Sequence, residues 1–400
     1  MDCPKKNWLN SWHVKPSGDS DYDLIDGLRG VAILMVVAHH LVYINPAYGL
    51  AVRIVGGFIR AGFWGVPIFF SLSGFLISMP FWKRKMKGSA QVVPAGYGWR
   101  RFYKIYPPLA FSILVLTPVY FFRSGDYEFF PIAARWLAGL PLVSQVSCKL
   151  NPVMWSLVVE VQFYVALPVI FLCLKKMTPK STLCIVPAIL LVCGKGSDFL
   201  YAVNGIKNTL EPTINLHFPS GLDAFTFGVL LAGLESHWGG LPKSWAKLGN
   251  VGLVLLVLSL AATSLLKLDP KYEPYAQGFV LDTAVKMASV FLICYVANPS
   301  VFLFARMLGN PWLRWCGIIS YEWYLFHGPV AVWIRKSLGF TNGSIVGYGL
   351  TVGGSFVVGL GIAAVVYRYF SLPILKGGRA KHTHGTTNEK TLQADVTATL

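Results

Sequence analysis

A few ionisable side chains lie inside long apolar runs of this sequence, and these residues are the best placed to perform chemistry. His40 falls in the first run, Glu160 in the fourth and His327 in the ninth. Charged or titratable groups are costly in hydrocarbon, so they mark a functional site by default. At about 1.5 Å per residue, all three lie roughly 9 to 12 Å below the outer membrane face. We expect them to converge on one polar cavity, joined by Asp282 and Lys286 of the eighth run.

The first run also carries a cation on the same helix face as His40. Arg29 and His40 are separated by close to three turns of about 3.6 residues, so both project from one side of an α-helix. Asp26 shares that face, whereas His39 projects about 80° away. We interpret His39 as a hydrogen-bonding residue between helices. A cation near the cytosolic mouth with an imidazole deeper in the same channel suits an anionic ligand that enters from inside.

Asp282 and Lys286 admit a second interpretation. They are spaced i and i+4 on a helix, where opposite charges can neutralise each other as a structural ion pair. The sequence leaves open whether they belong to the polar cavity or only to such a pair.

The segment FWKRKMKGSAQVVPAGYGWRRFYK, residues 81–104, mixes basic and aromatic residues. Such a mixture can hold phosphates and stack an adenine ring. A cytosolic loop must also be positive, and for the basic residues 83–87 we favour that explanation or contact with lipid headgroups. For Arg100, Arg101 and Lys104, at the start of the next span, we favour a phosphate site.

The composition is that of a membrane protein. Of 400 residues, 54% are hydrophobic and only 13% charged, which excludes an ordinary soluble enzyme, and 14% aromatic content excludes a disordered chain. The net charge of +17 is spread between apolar runs and forms no stripe, so we expect no nucleic-acid partner. The seven cysteines form no C-x-x-C pair, and we expect no metal.

About ten apolar runs are long enough to approach a membrane span of roughly 20 residues. Most basic residues fall on one side of the membrane when the N-terminus is placed in the cytoplasm. The sequence therefore predicts an all-α polytopic helix bundle with about ten transmembrane helices and both termini cytoplasmic. It divides into a polar cytosolic segment (1–23), a transmembrane domain (24–375) and a disordered cytosolic tail (376–400).

Five strings of the sequence resemble the integral-membrane acyltransferase family 3, and they occur in the order typical of that family. They are LIDGLRGVAILMVVAHH (24–40), FFSLSGF (69–75), WRRFYKIYPP (99–108), WSLVVEVQFY (155–164) and SYEWYLFHGPV (320–330). The family's basic residue followed ten residues later by histidine falls on Arg29 and His40. Its R-x-x-R motif falls on Arg101 and Lys104, where lysine replaces the second arginine. FSLPIL (370–375) lacks the carboxylate of the family's Glu-Arg-Pro-like stretch.

The resemblance implies a membrane-bound O-acyltransferase. Family members transfer acyl groups, commonly acetyl from acetyl-CoA, to hydroxyls of surface polysaccharides, lipopolysaccharide, Nod factors or macrolides. We therefore expect a multi-pass enzyme of the plasma (inner) membrane, with acyl-CoA as co-substrate, a carbohydrate or glycosylated small molecule as acceptor, and membrane lipids as surroundings.

Each candidate residue has an expected role in that reaction. A neutral imidazole can take a proton from an attacking hydroxyl, so His40 is the expected general base, with Glu160 orienting it. The phosphates of CoA are expected to bind to four cofactor-binding residues: Arg29, Arg100, Arg101 and Lys104. The acceptor substrate is expected to contact the remaining candidates: Ser73, His327 and Asp26. Direct transfer and a covalent acyl-histidine both fit.

Two other functions remain open from the sequence. A set of intramembrane histidine, carboxylate and lysine residues also describes a proton-coupled transporter or a flippase for a surface glycan. A sensor or scaffold without catalysis is the third possibility.

Overall fold

The computed structural model describes residues 8–12, 23–42, 50–139, 149–203, 221–266, 280–297, 302–337 and 345–378. These ranges are almost entirely helical and contain no β-strand. Fourteen α-helices are described in chain order: α1 Asp23–Leu41, α2 Leu50–Arg60, α3 Gly65–Met86, α4 Tyr97–Ser124, α5 Phe129–Leu137, α6 Trp155–Cys173, α7 Pro179–Val203, α8 Thr226–Trp238, α9 Leu248–Leu266, α10 Asp282–Ala297, α11 Phe302–Leu308, α12 Pro311–Ile318, α13 Ser320–Ser337 and α14 Ile345–Val366.

Seven helical segments of the described chain are long and apolar enough to cross a membrane. They lie at 24–41, 54–86, 97–124, 152–173, 179–196, 243–265 and 347–378. The prediction of a polytopic all-α membrane bundle is thus confirmed. The other three predicted spans correspond to α8, α10 and α13, with 13, 16 and 18 residues. At about 1.5 Å per residue, the shorter two fall well below the roughly 30 Å of the hydrocarbon core.

Helix α1 lies inside the bundle, where it packs against α3, α12 and α13. Gly30 of α1 lies against the backbone carbonyl of Leu313, and Gly317 of α12 lies against the backbone carbonyl of Asp26. A Cβ atom at either glycine would overlap the facing backbone, so glycine allows this close approach. Helix α12 is itself fixed at its start, where the Asn310 side chain accepts hydrogen bonds from two backbone amides.

The glycines of the last span contribute less to packing than their number suggests. A Cβ atom at Gly349, Gly353 or Gly361 would meet nothing within 4 Å, whereas a Cβ atom at Gly359 would lie 3.5 Å from the Trp323 indole nitrogen. Most of these glycines therefore lie on a face of α14 that has no close neighbour within the described residues.

The final helix changes its winding near its end. Tyr367–Ser371 forms one π-helical turn directly after α14, and the chain stays helical to residue 378. The N-terminal 3₁₀ helix Trp8–Ser11 packs beside this turn, where Trp12 stacks on Tyr367 at 6.2 Å between ring centres. The tail predicted from residue 376 lies outside the described residues beyond residue 378.

Candidate active site

Five helices line a partly open cavity of about 800 Å³, a volume that includes space open to solvent. All of its lining residues lie on α1, α3, α4, α6 and α13. The polar side chains are Arg29, Ser73, Arg101, Lys104, Ser156, Glu160, Tyr164, Ser320, Tyr321 and Tyr324, and much of the remaining wall is the apolar face of α3. We name this space the donor cavity, after the donor phosphate site that the sequence predicts at Arg29, Arg101 and Lys104.

Three cations face the donor cavity. Arg29 donates a hydrogen bond of 3.1 Å to the Ser320 hydroxyl, so α13 holds its guanidinium. The Arg101 guanidinium lies 5.7 Å from the centre of the Tyr164 ring and 6.0 Å from that of Tyr97. Lys104 follows Arg101 by three residues and therefore lies on the same face of α4. The structure thus brings three of the four residues of the predicted phosphate site to one cavity, and phosphate binding by them stays a prediction.

Arg100 departs from that prediction. It is exposed and absent from the cavity lining, and its guanidinium donates to the backbone carbonyl of Ala95 at 2.5 Å. Successive residues of a helix are rotated by about 100°. When Arg101 faces inward, Arg100 must therefore face outward.

Glu160 supplies the carboxylate of the donor cavity. Its Oε1 accepts hydrogen bonds from the Ser73 hydroxyl at 3.2 Å and from the Tyr164 hydroxyl at 2.5 Å. Among the described hydrogen bonds, none joins Glu160 to His40. Tyr164 lies one turn after Glu160 on α6, and this i, i+4 spacing brings its hydroxyl to the carboxylate. The described hydrogen bonds of Glu160 therefore run to Ser73 and Tyr164, and they do not support its expected role in orienting His40.

A pair of histidines lies beside the donor cavity. His327 Nε2 is 3.2 Å from His40 Nδ1, and the ring centres are 4.9 Å apart. His327 is buried, with Nδ1 2.8 Å from the Tyr324 backbone oxygen. His40 Nδ1 also lies 2.9 Å from the Val36 backbone oxygen, and the His40 ring is exposed.

The proton positions on both rings are assigned from these contacts. Carbonyl oxygens only accept hydrogen bonds, so each Nδ1 that faces one must carry a hydrogen. His327 Nε2 is then an acceptor, and His40 Nδ1 donates to it. The remaining nitrogen of His40, Nε2, keeps its lone pair and has no hydrogen-bond partner among the described residues. This is the form of imidazole that a general base requires.

His39 and Asp26 have other surroundings. His39 Nδ1 donates to the backbone carbonyl of Arg60, which agrees with the interpretation of His39 as a bond between helices. Asp26 is absent from the cavity lining, and its charge acts on Lys104.

The expected single polar cavity is divided in the structure. Tyr324 lines the donor cavity, while its ring centre lies 5.8 Å from that of His327. Its hydroxyl donates to the Val153 carbonyl at 2.9 Å and meets the Ser156 hydroxyl at 2.7 Å. Tyr324 therefore stands at the boundary between the cations and the histidine pair.

Asp282 and Lys286 belong to a separate network, which we name the ion quartet: Lys195, Asp223, Asp282 and Lys286. Lys286 Nζ lies 2.6 Å from Asp282 Oδ2 and 2.5 Å from Asp223 Oδ2. Lys195 Nζ lies 2.7 Å from the Asp282 carboxylate and 3.2 Å from that of Asp223. The ion-pair interpretation of these residues is the one that the structure supports. Lys195 and Asp223 were missed, although each is a charge beside an apolar run.

Within the described residues, no group of three or more histidine, cysteine, aspartate or glutamate side chains could hold a metal ion.

The sequence profile of the acyltransferase domain family matches residues 22–368. The chain belongs to this family. Two relatives are the peptidoglycan O-acetyltransferase OatA of Listeria monocytogenes, 27% identical over 90% of this chain, and the O-acetyltransferase OatA of Staphylococcus aureus, 25% identical over 88%. The chain spans 57% of the length of each relative. No solved structure matches the chain significantly.

The family strings coincide with the walls of the donor cavity. The five strings that resemble acyltransferase family 3 lie on α1, α3, α4, α6 and α13, and these are the five helices that line the cavity. Five further lining residues were not predicted individually from the sequence: Ser156, Tyr164, Ser320, Tyr321 and Tyr324. All five lie inside the quoted strings, so the resemblance of these strings to the family could have identified them.

Proposed function

We propose that this protein is an O-acyltransferase that moves an acyl group, in the simplest case acetyl, from acyl-CoA to a hydroxyl of a carbohydrate or glycosylated acceptor. One observation carries the proposal: the five family strings converge on one cavity, where three cations lie beside a histidine pair. The names of the relatives support acetyl as the group and peptidoglycan as one acceptor class. The charge bias of the loops supports a plasma membrane protein with both termini in the cytoplasm.

The donor phosphates would bind at the cationic wall. Arg29, Arg101 and Lys104 outnumber the single lining carboxylate, Glu160, so the cavity favours an anionic ligand. The apolar face of α3 suits the less polar pantetheine arm. The thioester then has to pass Tyr324 to reach the histidine pair. The Tyr324 side chain would therefore control the access of the bound donor to His40.

The chemistry would take place at His40. Its Nε2 accepts the proton of the acceptor hydroxyl as the hydroxyl oxygen attacks the thioester carbonyl. The carbon–sulfur bond then breaks, and the CoA thiolate leaves and takes up the proton from the imidazolium. His327 accepts a hydrogen bond from His40 Nδ1 and so holds the ring in the reactive tautomer. The exposed side of His40 offers the acceptor a route that does not cross the donor cavity.

The test follows label from donor to product in membranes that contain the protein and its native acceptor. Acetyl-CoA labelled in the acetyl group is added to membranes with wild-type protein, His40→Ala or His39→Gln at matched protein levels. Wild type and His39→Gln should transfer label to the acceptor, and His40→Ala should lose at least 99% of the rate, because the general base is absent. The His39 substitution is the matched control, since glutamine can still bond to the Arg60 carbonyl.

Two results would count against the proposal. Normal transfer by His40→Ala would remove His40 from the mechanism. Movement of the glycan across the membrane without retained label would instead identify a transporter or flippase.

A further inference from the structure

Asn151 is a buried asparagine that the proposed mechanism does not use. It lies directly before the 3₁₀ turn Pro152–Met154 that leads into α6, and it is fully buried. Its Nδ2 donates a hydrogen bond of 2.7 Å to the backbone carbonyl of Leu325 on α13. Because a carbonyl only accepts hydrogen bonds, this contact also assigns which end of the amide is the nitrogen. The donor end of Asn151 therefore joins the start of α6 to the middle of α13.

The Leu325 carbonyl needs a donor from outside its own helix. In an α-helix it would accept from the backbone amide four positions later, at residue 329. Residue 329 is a proline inside α13, and proline has no N–H. A buried carbonyl without a partner costs free energy. The Asn151 amide supplies the missing hydrogen bond across the helix interface.

The turn that Asn151 completes is the one that carries His327. Leu325 lies two residues before His327, and Gly328 directly follows it. The Oδ1 atom of Asn151 lies 3.8 Å from the point where a Cβ atom of Gly328 would stand, so the amide spans this turn. The His327 ring bonds to backbone oxygens of the same turn through Nδ1, and its Nε2 lies 3.2 Å from His40 Nδ1. A shift of the turn would therefore move His327 relative to His40.

This arrangement combines two locally unfavourable residues. A proline inside a helix destabilises it. The Oδ1 end of the Asn151 amide is buried with no hydrogen-bond partner among the described residues, which also costs free energy. An apolar residue at position 151 together with an alanine at position 329 would remove both costs. As the two residues stand, they complement each other at the Leu325 carbonyl, and the position of this turn depends on α6 as well as on α13.

We propose that Asn151 is a positioning residue of the histidine pair, which holds the turn around His327 so that its Nε2 meets His40 Nδ1. Asn151 acts through the Leu325 carbonyl. The inference rests on the proposed function, because it takes His40 as the general base. It predicts an effect on the chemical step and none on the binding of the donor.

The experiment measures steady-state constants for acetyl-CoA in membranes with matched protein levels. Asn151→Leu keeps the branched shape of the side chain and removes the donor to Leu325. We expect kcat to fall about fivefold, with the KM for acetyl-CoA within about twofold of wild type. Tyr324 still joins the two segments through its hydrogen bonds to Val153 and Ser156, so the variant should accumulate. A residue that only supported folding would lower the protein level and leave kcat unchanged, and an unchanged kcat overturns the inference.

A second substitution supplies the missing hydrogen bond from α13 itself. Pro329→Ala restores the backbone N–H that the Leu325 carbonyl would ordinarily bind. In this background Asn151→Leu should change kcat by less than about twofold, and an equal loss in both backgrounds would contradict the inference. If Asn151→Leu alone does not accumulate, the double variant carries the test. Accumulation with the kcat of Pro329→Ala supports the inference, and a lower kcat or continued failure to accumulate overturns it.

A His327→Phe background tests whether Asn151 acts through His327. Once the imidazole is gone there is no ring to position, so Asn151→Leu should lower kcat by less than about twofold further. A further loss as large as the one in wild type would mean that Asn151 acts elsewhere.

The His40→Ala variant in the same assay separates the two proposals. If it loses the transfer rate and Asn151→Leu keeps it, the inference about Asn151 is wrong and the proposed function stands. If His40→Ala keeps the rate, the proposed general base itself is wrong.

Discussion

Two groups of buried and half-buried charged side chains lie in this bundle, and they are built in opposite ways. The ion quartet joins two lysines and two aspartates through four contacts of 2.5 to 3.2 Å. The donor cavity sets Arg29, Arg101 and Lys104 against one lining carboxylate, Glu160. The quartet is electrically balanced, whereas the cavity keeps an excess of positive charge.

The difference is the one expected between a structural role for the quartet and the binding role proposed for the cavity. Charges in an apolar interior are tolerated when each has a partner, and the quartet meets that condition without any ligand. In the cavity, Glu160 already accepts hydrogen bonds from Ser73 and Tyr164, and Arg101 Nε is buried with no hydrogen-bond partner among the described residues. An anionic ligand would supply what the cavity lacks.

The largest effect should follow from breaking the quartet. Asp223→Asn leaves two lysines against one aspartate, and an uncompensated buried charge typically costs about 3–5 kcal/mol. We expect a large loss of heat-stable protein after extraction into detergent, measured as the fraction that stays monodisperse after heating. The molecules that survive should bind acetyl-CoA with an unchanged KM.

A balanced variant is the control for that loss. Asp223→Asn combined with Lys286→Met removes one charge of each sign and leaves Lys195 paired with Asp282 at 2.7 Å. This double variant should recover most of the stability. If it is as unstable as the single variant, charge balance is not what holds the quartet together.

The next largest effect is expected at the cavity. Substitutions of two adjacent arginines, one inside the cavity and one outside it, test whether donor binding depends on the excess charge there. Arg101→Gln should raise the KM for acetyl-CoA by roughly 10- to 100-fold, because hydrogen bonds to charged groups contribute about 1.5–3 kcal/mol. Arg100→Gln should change it less than twofold, since Arg100 is exposed and bonds to Ala95. Equal effects of the two substitutions would show that the donor responds to the general charge of this segment and not to the cavity.

The same contrast shows what the sequence could predict. Spacing along one helix is set by the turn of the helix, so the common face of Arg29 and His40 was predictable. The structure agrees, because Arg29 contacts Ser320 and His40 contacts His327, both on α13. The two contacts follow each other in the same chain order on both helices, so α1 and α13 run parallel. This agrees with their places as the first and ninth predicted spans, because odd-numbered spans cross the membrane in the same direction.

Contacts between helices were less predictable. The depth of Glu160 matched that of His40, yet its carboxylate turns to Ser73 and Tyr164. The depth of Asp282 led to the same expectation, yet its carboxylate pairs with Lys195 at 2.7 Å and with Lys286 at 2.6 Å. Depth follows from counting residues, whereas the partner of a side chain depends on the rotation and tilt of each helix, which pairwise packing determines.

A smaller effect is expected at the histidine pair, which lies outside both charged groups. His327→Phe removes the acceptor of the His40 Nδ1 hydrogen bond, although the Val36 carbonyl still accepts from the same nitrogen. We expect kcat to fall about tenfold, equal to about 1.4 kcal/mol, with the donor KM unchanged. His327→Gln restores an acceptor and should recover part of the rate. A raised donor KM with normal kcat would move His327 from the chemistry to the donor site.

The smallest effect should come from an ion pair that neither group contains. Lys149 Nζ lies 2.9 Å from Glu128 Oε2, with side chains 50% and 65% exposed. The hydrogen bond from Lys149 to Glu128 raises the pKa of the lysine, so the lysine stays charged near neutral pH. Water screens exposed charges, and such pairs contribute little to stability. Lys149→Gln should therefore leave both the heat-stable fraction and the transfer rate unchanged in the assay that detects Asp223→Asn. A loss comparable to that of Asp223→Asn would mean that geometry, and not burial, decides which ion pairs this bundle needs.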